Sequence, residues 1–181
     1  FLGDARVMPP ADFLAGSGRQ SDAAELVVVL TQSGASATSV AAARKAHAQG
    51  ARVVVVTANP AGAAAGLGLP VVPMPIGDEP IGPKTKGYTA SCASLLALAA
   101  SRGAAIDPPD PAALDNSLEH AWQRAGSLAA GLDRLDYVLA AGAGAAHGIA
   151  LEASLKIAEI AGIPTAAFSM EETLHGRLHG T

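Results

Sequence analysis

The stretch Leu26–Thr57 reads LVVVL TQSGAS ATSVAAARKAHAQG ARVVVVT. Its first part, Leu26–Leu30, is a continuous apolar run, as expected of a strand buried on both faces in a parallel sheet. The Ala-rich segment up to Gln49 reads as a helix. Gly50 stands where a helix C-terminus favours a residue that tolerates positive φ. Arg52–Val56 reads as the next strand. The loop Thr31–Ser36 therefore falls at the C-terminal end of a strand and the N-terminal end of a helix. There the helix dipole and free backbone N–H groups favour an anion, typically a phosphate. Thr31, Ser33, Ser36 and Thr38 add hydroxyl donors at the same spot. Two readings stand open: a phosphate cradle, or an ordinary turn whose Ser and Thr cap the helix.

Working outward from this unit, Ala5–Met8 reads as a brief strand and Asp12 as the cap of a short helix over Phe13–Gly16. Gly16–Asp22 is polar and flexible. On the other side, Ala63–Leu67 suits one helical turn. Leu69–Met74 is apolar, but Pro70 and Pro73 demote it to a short or edge strand. Gly77–Gly87 is a loop, Tyr88–Ser101 a helix, and Ile106–Pro111 a Pro/Asp-rich connector. Ala112–Leu132 has helical spacing of Leu114, Leu118, Trp122 and Leu128, with Gly126 as a point of interruption. A second unit then echoes the first: strand Tyr137–Ala141, loop Gly142–Gly144, helix Ala146–Ala161, strand Thr165–Phe168. The polar segment Ser169–Thr181 follows as loop plus helical turn. The pattern predicts an α/β fold with doubly wound parallel sheets, divided into units 1–106 and 107–181.

Half of the 181 residues are hydrophobic and only 3% aromatic, so the core is built from small and aliphatic side chains. A formal net charge of −4 without a Lys/Arg cluster argues against a nucleic-acid partner. One cysteine, Cys92, excludes an internal disulfide and fits a reducing cytosol; it reads as buried filler. No apolar run reaches the ~18 residues of a membrane span. No signal segment opens the sequence, which places the protein in the cytoplasm with no membrane partner.

Two groups of residues carry candidate chemistry. Glu152, Lys156 and Glu159 lie at i, i+4 and i+7 and share one helix face. They form either an exposed ion-pair ladder or part of a site, and Glu159 suits a proton shuttle between adjacent carbons. Glu171, Glu172, His175 and His179 make up a polar loop. A histidine there suits sugar-ring opening, by moving a proton between ring oxygen and hydroxyl. His175 and His179 have the i, i+4 spacing of helical metal ligands, but Gly176 breaks the helix this needs, so no metal site is expected. Lys84 and Lys86 suit charge neutralisation or a solvated loop. His47 and His120 read as surface residues, and His147 as a weak ligand contact.

Taken together, these residues resemble the sugar isomerase (SIS) family. Thr31–Ser36 resembles its Ser/Thr-Gln-Ser-Gly-x-Ser/Thr phosphosugar loop. Lys84–Thr89 resembles its Ser-Thr-Lys-x-Phe/Tyr-Thr segment. Ile149–Glu159 and Glu172–Gly176 are similar to the helix and the His-Gly motif of the isomerase half of glucosamine-6-phosphate synthases. The resemblance implies tandem flavodoxin-like SIS layers, with a first strand expected before Phe1 and a lysine-bearing tail after Thr181. It implies that Thr31, Gln32, Ser33 and Ser36 hold the phosphate and that Glu159 moves the proton between C1 and C2. It gives ring opening to His175, reaching into a neighbouring subunit's site, with Glu152 and Lys156 in support. The expected function is aldose–ketose isomerisation of a hexose 6-phosphate, such as fructose 6-phosphate or glucosamine 6-phosphate, coupled to amino-group transfer or removal. The alternative is a non-catalytic phosphosugar sensor. No metal or organic cofactor is required for carboxylate-mediated enolisation. A homodimer with a shared site is expected.

Overall fold

The computed structural model describes residues 5–16, 21–77, 79–107, 110–130 and 135–180. The chain divides into two compact units, Phe1–Asp107 and Pro108–Thr181. Both carry parallel sheets connected by helices, so the α/β class read from the sequence holds.

In the first unit, β1 (Leu26–Leu30), β2 (Arg52–Thr57) and β3 (Val71–Pro73) form a parallel sheet in that order. Leu26 pairs with Arg52 and Leu30 with Val56; Val55 pairs with Val71 and Thr57 with Pro73. The two valine runs explain the pairing, because β-branched side chains pack well on a pleated surface; the burial on both faces expected of Leu26–Leu30 belongs to β2 instead, since β1 lies at the sheet edge with Val29 buried and Leu26 and Leu30 exposed. β2 is central, and everything from Val53 to Thr57 is buried. β3 is short and lies at the sheet edge, where its proline costs no internal ladder bond.

The helix α2 (Ala37–Ala48) crosses from β1 to β2 and buries Ala42, Ala43 and Ala46. Alanine at those positions lets the helix axis close on the valines of β1 and β2. Gly50 follows with φ +90°, as the sequence predicts. The core joins Val29, Ala43, Ala46, Ala51 and Val53, with Phe13, Val27, Leu67 and Leu69 packed against it. A 3-10 turn, Ala65–Leu67, replaces the expected helical turn at almost the same place. The helix α3 (Lys86–Ser101) begins two residues before its predicted start.

Three expectations need correction. Ala5–Met8 forms no strand; the chain runs straight into α1 (Pro10–Ala15), which opens on Pro10 because a first-turn residue needs no N–H donor. Asp12 lies in the first turn of α1 and does not cap it. Cys92 is exposed on α3, whose buried residues are Gly87, Ser94 and Ala99, so it fills no core. Most of the Gly16–Asp22 segment lies outside the described residues.

In the second unit, α4 (Pro111–Ala129) is capped by Asp110, whose carboxylate accepts from Ala112 N at 3.0 Å. Gly126 does not interrupt it. The expected continuation to Leu132 enters residues outside the described set. β4 (Val138–Gly142) and β5 (Thr165–Ser169) pair in parallel, joined by α5 (Ala145–Ala161). The polar end resolves into α6 (Met170–Leu174) and a 3-10 turn at Arg177–Gly180. No helix among the described residues is long and apolar enough to cross a membrane.

Candidate functional site

The loop Thr31–Ser36 is fixed through its backbone by the end of β2 and the residues just after it. Thr57 Oγ1 and Ala58 N both donate to the Gln32 carbonyl, at 3.2 and 3.0 Å. Asn59 Nδ2 donates to the Ser33 carbonyl at 3.1 Å, and Thr31 N donates to Val56 O at 3.0 Å. Gly34 turns the loop with φ +65°. A Cβ at Gly34 would lie 3.0 Å from Thr57 Oγ1 and 3.4 Å from Gly62 Cα. Glycine is therefore required twice over, by conformation and by the close approach of the next loop.

This anchoring leaves the hydroxyls of Ser33, Ser36 and Thr38 on exposed residues and keeps Thr31 buried. Ser36 also caps α2, accepting from Ser39 N at 3.4 Å and Ser39 Oγ at 3.2 Å. The capping role is thus real at Ser36. It coexists with an accessible hydroxyl rim at the helix N-terminus. The loop opens on a cleft of about 450 Å³, lined by Gln32, Ser33, Asn59, Ile76, Glu79 and Lys84 among others.

Across that cleft lies a group that sequence reasoning passed over. Glu79 Oε1 accepts from Thr85 N and Lys86 N, both at 2.8 Å. Its Oε2 accepts from Gly87 N at 3.3 Å and from Gln32 Nε2 at 3.0 Å. Burial works to raise this carboxyl. The N–H of Thr85, the Gln32 amide and the N–H groups of Lys86 and Gly87 together overcome it and bring the pKa down to about 2. Lys84, read as a phosphate neutraliser or a solvated residue, donates instead to the carbonyls of Glu79 and Ile81. The available signal was an acidic residue seven positions ahead of a helix start, weak on its own.

In the second unit, Glu152, Lys156 and Glu159 do share one face of α5. Lys156 Nζ lies 2.6 Å from Glu159 and 3.6 Å from Glu152. The hydrogen bond to Glu159 raises the Lys156 ammonium above its ordinary 10.5, against partial desolvation and with help from the Glu152 charge. His175 follows α6 and is exposed; its Nδ1 lies 3.1 Å from the Glu171 carbonyl. A carbonyl only accepts, so this bond selects the Nδ1–H tautomer and leaves Nε2 as the basic nitrogen. Glu172 pairs with Arg177 at 2.6 Å, and Arg177 stacks 4.4 Å above Phe168.

Within the second unit Glu159 stands before β5, in the last turn of α5, and His175 after it, at the end of α6. α5 precedes the N-terminal end of β5, and α6 follows its C-terminal end. The five-residue strand between them spans about 16 Å at ~3.3 Å per residue. His175 and His179 stand on separate elements. Among the described residues no group of three His, Cys, Asp or Glu could hold a metal ion.

A parallel sheet with a built, hydroxyl-bearing loop at its strand ends is the architecture of ligand-binding α/β domains. Residues 7–101 match the SIS domain, and the chain belongs to the SIS family. It is 33% identical over 166 residues to the glutamine–fructose-6-phosphate aminotransferase (isomerizing) of Symbiobacterium thermophilum, covering 84% of this chain and 27% of that protein. The C-terminal domain of glucosamine-fructose-6-phosphate aminotransferase from Francisella tularensis superimposes with TM-score 0.71 at 20% identity, over 92% of this chain and 51% of that one. Tagatose-6-phosphate ketose/aldose isomerase from Escherichia coli gives TM-score 0.66 at 20% identity, over 95% and 50%. The chain thus spans about a quarter of the curated relative and about half of the solved chains.

Proposed function

We propose that this chain is the phosphosugar-binding, isomerising part of an enzyme that interconverts the aldose and ketose forms of a hexose 6-phosphate, with amino-group transfer or removal attached. The observation that carries this is the anchored Thr31–Ser36 loop at the N-terminus of α2, opening on the cleft. Thr31, Gln32, Ser33 and Ser36 hold the phosphate, with the α2 dipole in support. Units 1–106 and 107–181 are two successive SIS domains.

The proton chemistry falls to the second unit. Glu159 takes the proton from C2 and returns it to C1 through an enediol, and the Lys156 ammonium beside it stabilises developing negative charge on oxygen. Glu152 holds that ammonium in place. His175 Nε2 moves the proton between ring oxygen and hydroxyl. The placement of Glu159 before β5 and of His175 after it supports a homodimer in which each copy lends a histidine to the other's site. Cytoplasmic sugar-phosphate metabolism is the setting. The same placement also favours a second reading, a phosphosugar sensor, wherever the chain acts as a single copy.

The test is fructose 6-phosphate or glucosamine 6-phosphate added to the chain and to Glu159→Gln, with ketose–aldose conversion and ammonia release followed. Turnover that disappears in Glu159→Gln supports the enzyme. Saturable binding without turnover in both supports the sensor. Absence of hexose phosphate binding defeats the phosphate reading of Thr31–Ser36.

A further inference from the structure

We infer that Glu79 is a positioning residue for the phosphate site, locking the Gln32 amide and closing the N-terminus of α3 to the ligand. This rests on the phosphosugar reading above. A carboxylate only accepts hydrogen bonds, so its contact with Gln32 fixes which end of that amide is nitrogen. One Nε2–H is spent on Glu79 and the other is left for a bound oxyanion. The Gln32 side chain lies flat over Gly87, where any Cβ would coincide with the amide. Glycine at 87 is what lets glutamine reach Glu79.

The cleft has two helix N-termini beside it, and each favours an anion. At α3 the N–H groups of Thr85, Lys86 and Gly87 are all engaged by Glu79. The carboxylate is itself held by its own loop, because the Lys84 ammonium bonds the carbonyls of Glu79 and Ile81. A ligand phosphate is therefore directed to the other end, at α2, where Ser33 and Ser36 are exposed. Glu79 sets both the place of the phosphate and the orientation of the glutamine that meets it, without touching the ligand.

The experiment uses Glu79→Gln, Gln32→Ala and the double variant of the whole chain, with fructose 6-phosphate affinity measured by calorimetry. Each single variant is expected to weaken binding about tenfold, the effect of one charge-assisted hydrogen bond. The double variant is expected to match Gln32→Ala alone, because Glu79 acts through Gln32. Fully additive losses overturn the role. Proton exchange of the Gln32 side-chain amide gives a ligand-free readout. It is expected to be slow in the wild type and at least tenfold faster in Glu79→Gln; an unchanged rate overturns the clamp. If Glu79→Gln fails to fold, Glu79→Asp replaces it, since the shorter arm cannot reach Gln32 and the α3 N–H groups together. A wild-type chain with the slow amide but no sugar affinity overturns the phosphosugar reading, and Glu79's role toward a sugar with it, while the clamp stands. Sugar binding indifferent to Glu79→Gln overturns the positioning role alone.

Discussion

The two βα units of this chain follow one plan and are built to different standards. In the first, β2 is buried from Val53 to Thr57, and Val55 and Val56 are wholly inaccessible. In the second, β4 is half-buried over Val138–Ala141 and β5 half-buried throughout. The first βα loop is tied down by Thr57 and Asn59 from the neighbouring strand's end. The helix after the second loop begins at Gly144 with no side-chain cap. Within this chain, the fully buried strand is the one whose end holds the Thr31–Ser36 loop, while Glu152, Lys156 and Glu159 stand on a helix packed against half-buried strands.

The largest test of that contrast is a pair of truncations. Val55→Ala removes fully buried methyl groups and is expected to cost about 2 kcal/mol of folding stability. Leu139→Ala, on the half-buried β4, is expected to cost about 1 kcal/mol. Chemical denaturation of each variant checks it; equal losses would erase the distinction between the frames.

Next comes Gly87→Ala. The added methyl meets the Gln32 amide, the far end of a flexible side chain that can swing aside, so the cost to folding should stay below about 1 kcal/mol while the Gln32–Glu79 bond is lost. Fructose 6-phosphate affinity should fall with it. Gly148→Ala in α5 meets nothing within 4 Å and should be neutral or stabilising by up to about 1 kcal/mol. A Gly148→Ala variant as damaged as Gly87→Ala would show that α5 is as tightly packed as the first site.

How much of this was legible in the sequence follows from the same contrast. The valine runs, the loop they bracket and the Gly50 stop announce themselves by periodicity and local chemistry, and the structure places them within a residue or so. The matching helix starts and strand ends in the second unit were equally local. What escaped is long-range. Glu79 lies 47 residues from Gln32 in the chain, and no local pattern links a loop carboxylate to a glutamine that far back. Cys92 looked buried because its neighbours are apolar, but exposure depends on which face of α3 turns inward, and that face carries Gly87, Ser94 and Ala99. The closeness of Glu152, Lys156 and Glu159 was readable from helical spacing, whereas the distance from Glu159 to His175 depends on the direction of β5 and was not.

The two units also titrate from opposite ends of the pH scale. Folding holds Glu79 at about 2, below its ordinary 4.5. Its contribution is therefore complete above pH 4.5 and is lost as the pH falls toward 2. Folding raises Lys156 above 10.5, so its contribution is complete below that pH and lost as the pH climbs past it. Denaturant midpoints measured against pH should show an acid loss that is absent in Glu79→Gln and an alkaline loss that is absent in Lys156→Met. Both losses surviving in both variants would assign the pH dependence to other groups.

The last contrast concerns the Glu172–Arg177 pair near His175. Its geometry is good, at 2.6 Å with Arg177 over the Phe168 ring. Yet both side chains are about half exposed, 51% and 50%, so water and salt screen the attraction. Such a pair contributes about 0–1 kcal/mol, and the ring contact about 0.5–1 kcal/mol more. Arg177→Ala should therefore cost no more than about 1–2 kcal/mol, and the ion-pair part should shrink when ionic strength rises toward ~1 M. Glu79 differs in kind, since its partners are backbone N–H groups and an amide whose positions the fold already fixes. If removing Arg177 proved as costly as Val55→Ala, and salt left that cost unchanged, the segment carrying His175 would be anchored as firmly as the Thr31–Ser36 loop, and the contrast between the two frames would have to be redrawn around it.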